Sequence, residues 1–229
     1  MQNRQINDVF FDLDHTLWDF DKNSGLAFER VFHKHQIELS LTDFLRVYEP
    51  INLMYWKKYR EERVSKTELR RGRLIETFAV FNLKFPIETI DELAHCYIAE
   101  LPVNNHLFSG TFEILDYLHK KYKLHVITNG FEEVQHLKLT NSGIKKYFKT
   151  VTTSEEVGLK KPHPSVFQTA LTKATALPQK SVMIGDSFEA DIIGAQNAGM
   201  HTLFFNYRSE KVNPPWAAIN KLSEIKNYL

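Results

Sequence analysis

Short uninterrupted apolar runs recur along the chain and stop at turn or acidic residues. Val9-Phe10-Phe11 stops at Asp12, the run 124–127 stops at Thr128-Asn129-Gly130, and Val182-Met183-Ile184 stops at Gly185-Asp186. A further run, 202–205, follows Gly199, and 149–152 is a weaker one. Runs without strict alternation fit parallel strands covered on both faces. Helical spacing fills the gaps between them. Phe112, Leu115 and Leu118 recur behind Ser109, an expected N-cap. Val134 and Leu137 lie in a segment that should end near Asn141-Ser142-Gly143. Pro164 suits the first turn of a helix carrying Val166, Phe167, Ala170 and Leu171, and Ala190, Ile193 and Ala195 predict another that ends at Gly199. Strands alternating with helices predict an α/β fold, a Rossmann-like doubly wound parallel sheet.

The stretch between the first two strands breaks this rhythm, with long helical patterns and no convincing strand. It predicts an inserted α-helical cap domain over residues 18–107, with Pro86 and Pro102 at turns, and leaves 1–17 and 108–229 as the sheet core. Asn213-Pro214-Pro215 predicts a turn before a short terminal helix.

Composition narrows the class. The chain has 229 residues, 43% hydrophobic and 25% charged, with a net charge of +1, which argues against a nucleic-acid polymer or a membrane surface as partner. No run approaches the roughly 18 apolar residues of a membrane span. Residues 1–5 lead into a stretch broken by Asp12 and Asp14 and lack the apolar segment of a secretory signal, so a cytoplasmic location is expected. Cys96 is the single cysteine, so it forms no internal disulfide and reads as a small buried apolar residue; the ten histidines show no zinc spacing.

The candidate chemistry lies where the strands end. Ligands of open α/β sheets bind outside the carboxyl ends of the strands. Asp12 and Asp14, two apart, are expected on one face; with Asp186 and Asp191 they bring four carboxylates to one edge. Carboxylates so placed repel unless a cation or a shared proton intervenes, and a hard divalent ion such as Mg²⁺ suits them. The turn Thr128-Asn129-Gly130 offers a hydroxyl and backbone N–H groups to an anion, and Lys160-Lys161 precedes the Pro164 helix, where a lysine would be a point charge for a phosphoryl oxygen. Each residue alone would read as a helix cap, a turn or a solvated surface charge.

Taken in order, these segments resemble the haloacid dehalogenase superfamily. Phe11-Asp12-Leu13-Asp14-His15-Thr16 is similar to its first motif, Ile127-Thr128-Asn129-Gly130 to its second, Gly158-Leu159-Lys160-Lys161-Pro162 to its third, and Ile184-Gly185-Asp186-Ser187 with Asp191 to its fourth. The resemblance implies that Asp12 is a nucleophile forming a phosphoaspartate. It makes Asp14 the acid and then the base, Thr128 the phosphoryl-binding residue with Asn129 assisting, and Lys161 the neutralising charge. Mg²⁺ would be held by Asp12, the backbone carbonyl of Asp14, and Asp186, with Asp191 as ligand or support. Dehalogenase members lack the second Asp of the first motif, so Asp14 points to phosphate chemistry. Trp18-Asp19, Tyr55-Trp56-Lys57, Phe131 and Ser154-Glu155-Glu156-Val157-Gly158 further resemble the bacterial pyrimidine nucleoside 5′-monophosphatase subfamily, whereas His163 and Phe108-Ser109-Gly110 depart from it.

The expected function is a Mg²⁺-dependent phosphomonoesterase acting on small phosphorylated metabolites, with nucleoside 5′-monophosphates first. The alternatives are a sugar-phosphate phosphatase or phosphomutase, or a silent module that binds phosphorylated ligands. Trp18 follows the first motif closely enough to be a candidate for stacking on a base. Residues 57–73 carry eight basic and three acidic side chains, which read first as a solvated helix face and second as a surface that draws anions.

Overall fold

A computed structural model describes residues 6–211 and 216–229; the expected turn at Asn213-Pro214-Pro215 and the residues 1–5 lie outside them. The elements in chain order are β1 (Asp8–Phe11), α1 (Phe20–Lys34), α2 (Leu41–Arg60), α3 (Lys66–Val80), α4 (Ile87–Glu100) and α5 (Thr111–Leu118). There follow β2 (Lys123–Thr128), α6 (Glu132–Asn141), β3 (Phe148–Thr153), α7 (Ser154–Val157), α8 (Pro164–Ala174) and β4 (Ser181–Gly185). A π-helical turn (Phe188–Ile193), α9 (Gly194–Asn197), β5 (His201–Phe205), β6 (Ala218–Ile219) and a final 3₁₀ turn (Leu222–Asn227) complete it.

The six strands form one parallel sheet in the order β3-β2-β1-β4-β5-β6. This is the Rossmann-like, doubly wound arrangement. Strand order reverses at β1, which pairs with β2 on one side and β4 on the other, so the crevice at the carboxyl ends opens where Asp12, Thr128 and Gly185-Asp186 leave the sheet. Val9, Phe10 and Phe11 are fully buried, as a central strand covered on both faces requires. On one face Phe10 and Met183 pack with Val166, Phe167 and Ala170 of α8.

The chain divides into two compact units, Met1–Phe20 with Asn105–Leu229, and Asp21–Asn104. Trp18 and Leu107, assigned to the cap by sequence, belong to the sheet unit, where they pair in an antiparallel bridge. The second unit holds most of α1 and all of α2–α4, around an aromatic core. Phe28 stacks on Tyr97 at 4.2 Å between ring centroids and meets Phe44 and Tyr48 edge-on at 4.8 and 4.6 Å. α3 opens with a reciprocal capping box between Ser65 and Glu68. Of the basic residues in 57–73, Arg73 is the exception to a solvated face. It is buried in this core, where its guanidinium lies 5.1 Å from the Tyr97 ring and donates to Asn52 at 2.9 Å.

Several local expectations change. α5 starts at Gly110 (φ 85°), with no side-chain cap, so Ser109 is not the N-cap; the buried stripe is Thr111, Ile114, Leu115 and Leu118, and Phe112 faces outward. On α6, Leu137 is half exposed, while Gln135 and Lys138 are buried, a polar inversion that the site explains. The segment around Ala190 winds as a π-helical turn before α9, with Ile192 inward in place of Ile193. The terminal helix is the 3₁₀ turn, preceded by the unanticipated β6.

Replacing Phe28 with Ala removes the ring at the centre of the helical unit. The expected loss is about 3–5 kcal/mol of that unit's stability, read from its denaturant unfolding midpoint.

Candidate active site

β1 ends at Phe11, so Asp12 is the first residue beyond the ladder, held by its N–H donating to the Ile184 carbonyl at 2.9 Å. The chain then turns back on itself, with the N–H groups of Leu17 and Trp18 both donating to the Leu13 carbonyl. This turn separates the two aspartates that regular strand alternation would have set on one face. Asp12 faces Asp186 and Asp191; their carboxylate oxygens lie within 4.8 Å of one another. The Asp14 carboxylate instead meets α6, accepting from Lys138 Nζ at 2.6 Å and Gln135 Nε2 at 3.1 Å.

Lys161 lies among the first group. Its buried ammonium donates to Asp12 Oδ1 at 2.7 Å, Asp191 Oδ1 at 2.6 Å and the Ile127 carbonyl at 2.7 Å. Burial works against this charge, but the two carboxylates outweigh it and raise the pKa above the usual lysine value. Asn129 clasps the backbone of Lys161, donating to its carbonyl at 3.0 Å and accepting from its N–H at 2.8 Å. The Asn129 side chain thus holds the lysine loop. Asp191 has its second oxygen taken by the Ser187 N–H at 3.0 Å. Its carboxyl lies against Gly185 at the tip of β4, where a Cβ would stand 2.3 Å from Oδ2.

Thr128, at the tip of β2, is buried, and its Oγ1 accepts from Gly130 N at 3.1 Å and from Gln135 Nε2 at 2.6 Å. Both bonds use the oxygen, so the hydroxyl hydrogen is left to donate. Trp18 is fully buried and supports Lys138, whose ammonium sits 4.2 Å above the indole and 5.3 Å from Phe20. Buried in this way, the indole presents no open face to a base. Burial also lowers the Lys138 pKa, with Asp14 and Asp12 opposing the shift.

Burial pushes the Asp12 carboxyl up to about 7, against the opposing pull of Lys161 and with repulsion from Asp191 adding to the rise. Asp186 is likewise raised, by desolvation and then by Asp12 and Asp191. Crowded, desolvated carboxylate oxygens are the donor set of a hard cation, and a divalent ion would relieve the strain that one lysine leaves.

A family model described as haloacid dehalogenase-like hydrolase matches residues 9–205, a span that includes each of these side chains. The chain belongs to this hydrolase family. It is 30% identical to pyrimidine 5′-nucleotidase YjjG of Escherichia coli over 227 residues, 96% of each protein. It is 31% identical over 198 residues to glyceraldehyde 3-phosphate phosphatase of Methanothermobacter thermautotrophicus, covering 86% of this chain and 84% of that one. Among solved structures, the HAD-hydrolase YfnB of Bacillus subtilis, bound to magnesium, matches 99% of both chains with a TM-score of 0.90 at 27% identity. Among the described residues no helix is long and apolar enough to cross a membrane.

Gln135 and Lys138 are the site residues that sequence reading missed. Their signal was faint: two polar side chains spaced i, i+3 on the face of a helix that also buries Val134 and Leu139.

A carboxyl whose pKa is higher folded than unfolded stabilises the fold below the unfolded value and loses that contribution as pH rises through the folded one. For Asp12 without metal the contribution is full below about 4 and gone above about 7. The stability advantage of chelator-treated wild type over Asp12→Asn should therefore shrink across that window in denaturant unfolding. An advantage that stays constant would refute the shift.

Proposed function

We propose that this protein is a Mg²⁺-dependent phosphomonoesterase of small phosphorylated metabolites, with nucleoside 5′-monophosphates the preferred class. The observation that carries the reading is Lys161, whose ammonium touches both Asp12 and Asp191 at the crevice where Thr128 and Asp186 also emerge. An aspartate beside a buried cation, next to a hydroxyl with a hydrogen left to donate, is suited to in-line attack on phosphorus.

In the first step an Asp12 oxygen bonds to phosphorus and the ester P–O bond breaks. Asp14 gives its proton to the leaving oxygen. In the second, water attacks the phosphoaspartate, Asp14 takes the water proton, and the Asp12–phosphorus bond breaks to release inorganic phosphate. Thr128 donates to a phosphoryl oxygen, and Lys161 offsets charge on Asp12 and the phosphoryl group. Asp12 and Asp186, with the backbone carbonyl of Asp14, would hold Mg²⁺, which supplies further neutralisation of phosphoryl charge. Asp191, with both oxygens engaged, acts by fixing Lys161 and the turn at Ser187. The substrate preference is supported by the likeness to pyrimidine 5′-nucleotidases at 30% identity. The likeness to a glyceraldehyde 3-phosphate phosphatase keeps sugar phosphates as the second class.

Phosphate release from a panel of nucleoside monophosphates, sugar phosphates and p-nitrophenyl phosphate, with and without Mg²⁺, tests this. Mg²⁺-dependent release led by nucleotides is expected, with Asp12→Asn folded and at least about a thousandfold slower. Release led by sugar phosphates overturns the substrate class, and turnover surviving in Asp12→Asn overturns the mechanism.

A further inference from the structure

Asp14 lies beyond the end of β1, so the sheet does not fix its side chain. What meets both its carboxylate oxygens is one face of α6. Lys138 takes Oδ1 at 2.6 Å and Gln135 takes Oδ2 at 3.1 Å, and the same Gln135 amide nitrogen donates to Thr128 Oγ1 at 2.6 Å. We propose that Lys138 and Gln135 are positioning residues for the acid–base step: together they aim the Asp14 carboxyl at the leaving oxygen, and Gln135 also turns the Thr128 hydroxyl hydrogen toward the phosphoryl group.

Three features argue that these contacts exist for their orientation. First, both side chains occupy inward positions of α6 where apolar residues would pack at lower cost, Gln135 at 0% exposure and Lys138 at 2%. The ammonium is sealed between Asp14 and the rings of Trp18 and Phe20, so water does not weaken its grip. Second, Gln135 Oε1 is buried without a hydrogen-bond partner. Leaving a carbonyl unsatisfied is unfavourable, and the opposite amide orientation would set that oxygen against the Asp14 carboxylate. The orientation present is the one that points both available donations at Thr128 and Asp14. Third, the phosphate-side turn is shaped around this amide, since a Cβ on Gly130 would lie 2.3 Å from Gln135 Nε2. The phosphoryl-binding hydroxyl and the proton-transfer carboxyl are therefore joined through one side chain.

The inference rests on the phosphatase reading, and the test separates the two. The ratio kcat/KM reports only the steps up to formation of the phosphoaspartate. In that phase an alkyl ester needs a proton from Asp14, whereas p-nitrophenolate leaves without one. The substrates are p-nitrophenyl phosphate and whichever alkyl monophosphate the panel above shows to be fastest. For Lys138→Met we expect kcat/KM on the alkyl ester to fall about 10- to 100-fold, with p-nitrophenyl phosphate changed less than about threefold and Lys138→Arg recovering part of the loss. Equal losses on both substrates would mark a merely structural role and overturn the proposal, as would unchanged kinetics. Should Lys138→Met fail to fold, Gln135→Met removes the other arm without altering charge. Because it also frees the Thr128 hydroxyl, kcat/KM should fall on both substrates. A loss on the alkyl ester at least about threefold larger than on p-nitrophenyl phosphate supports the proposal, whereas equal losses overturn it. Wild type silent on both substrates would bring down the phosphatase reading and this proposal with it; an active wild type with an unchanged ratio in the variants would bring down this proposal alone.

Discussion

A single buried ammonium holds the working edge of the sheet together. Lys161 is buried and donates to the Asp12 carboxylate, the Asp191 carboxylate and the carbonyl of Ile127. It thereby ties the residue after β1, the end of β2 and the π-helical turn after β4 to one point. Removing the charge would leave two desolvated carboxylates facing each other; removing either carboxylate would leave an under-compensated cation. The rest of the edge is arranged to deliver this lysine, with Asn129 gripping its backbone from both sides and Gly185 allowing Asp191 to lie flat against the β4 tip.

Around that contact the electrostatics divide in two. On one side Asp12, Asp186 and Asp191 crowd together with one lysine among them, and burial drives Asp12 and Asp186 toward their protonated forms. On the other side Asp14 is matched by Lys138 and by the amide of Gln135. The turn through Leu13 produces this division, because it sends two aspartates that are neighbours in sequence to different partners. One tripeptide, Asp12-Leu13-Asp14, thus supplies a carboxylate to each of two differently balanced groups.

Much of this could be read from the chain. Apolar runs that end in Asp12, Thr128 and Gly185-Asp186 gave both the parallel sheet and the edge where its polar tips meet, because a buried central strand tolerates polarity only where it leaves the ladder. The resemblance of Gly158-Leu159-Lys160-Lys161-Pro162 to the third motif singled out Lys161 over Lys160, and the structure buries Lys161. What escaped depends on contacts distant in sequence. Lys138 and Gln135 look like the solvent side of an amphipathic helix until Asp14, from the turn after β1, and Thr128, from the tip of β2, are set against them. Trp18 looked like a platform for a ligand, and three-dimensional packing made it the floor under Lys138. Ser109 was a sound cap by type, but Gly110 adopts the left-handed conformation and begins the helix. Arg73 hid in a run of surface charges because nothing local distinguishes a guanidinium that will lie between tyrosines.

The central position of β1 has a consequence for how the chain is made. β1 is synthesised before either of its two partners, which begin at Lys123 and Ser181, after the helical unit in the chain. On the ribosome the helical unit has its full sequence once Asn104 emerges, with an aromatic core drawn wholly from its own residues. The strand that carries Asp12 must wait, without an edge to pair with, until Lys123 and the residues after it have been translated. Assembly order is therefore the reverse of chain order: the insertion can be native while the segment that precedes it is still unpaired, and the reactive edge comes together only when β4 closes on β1.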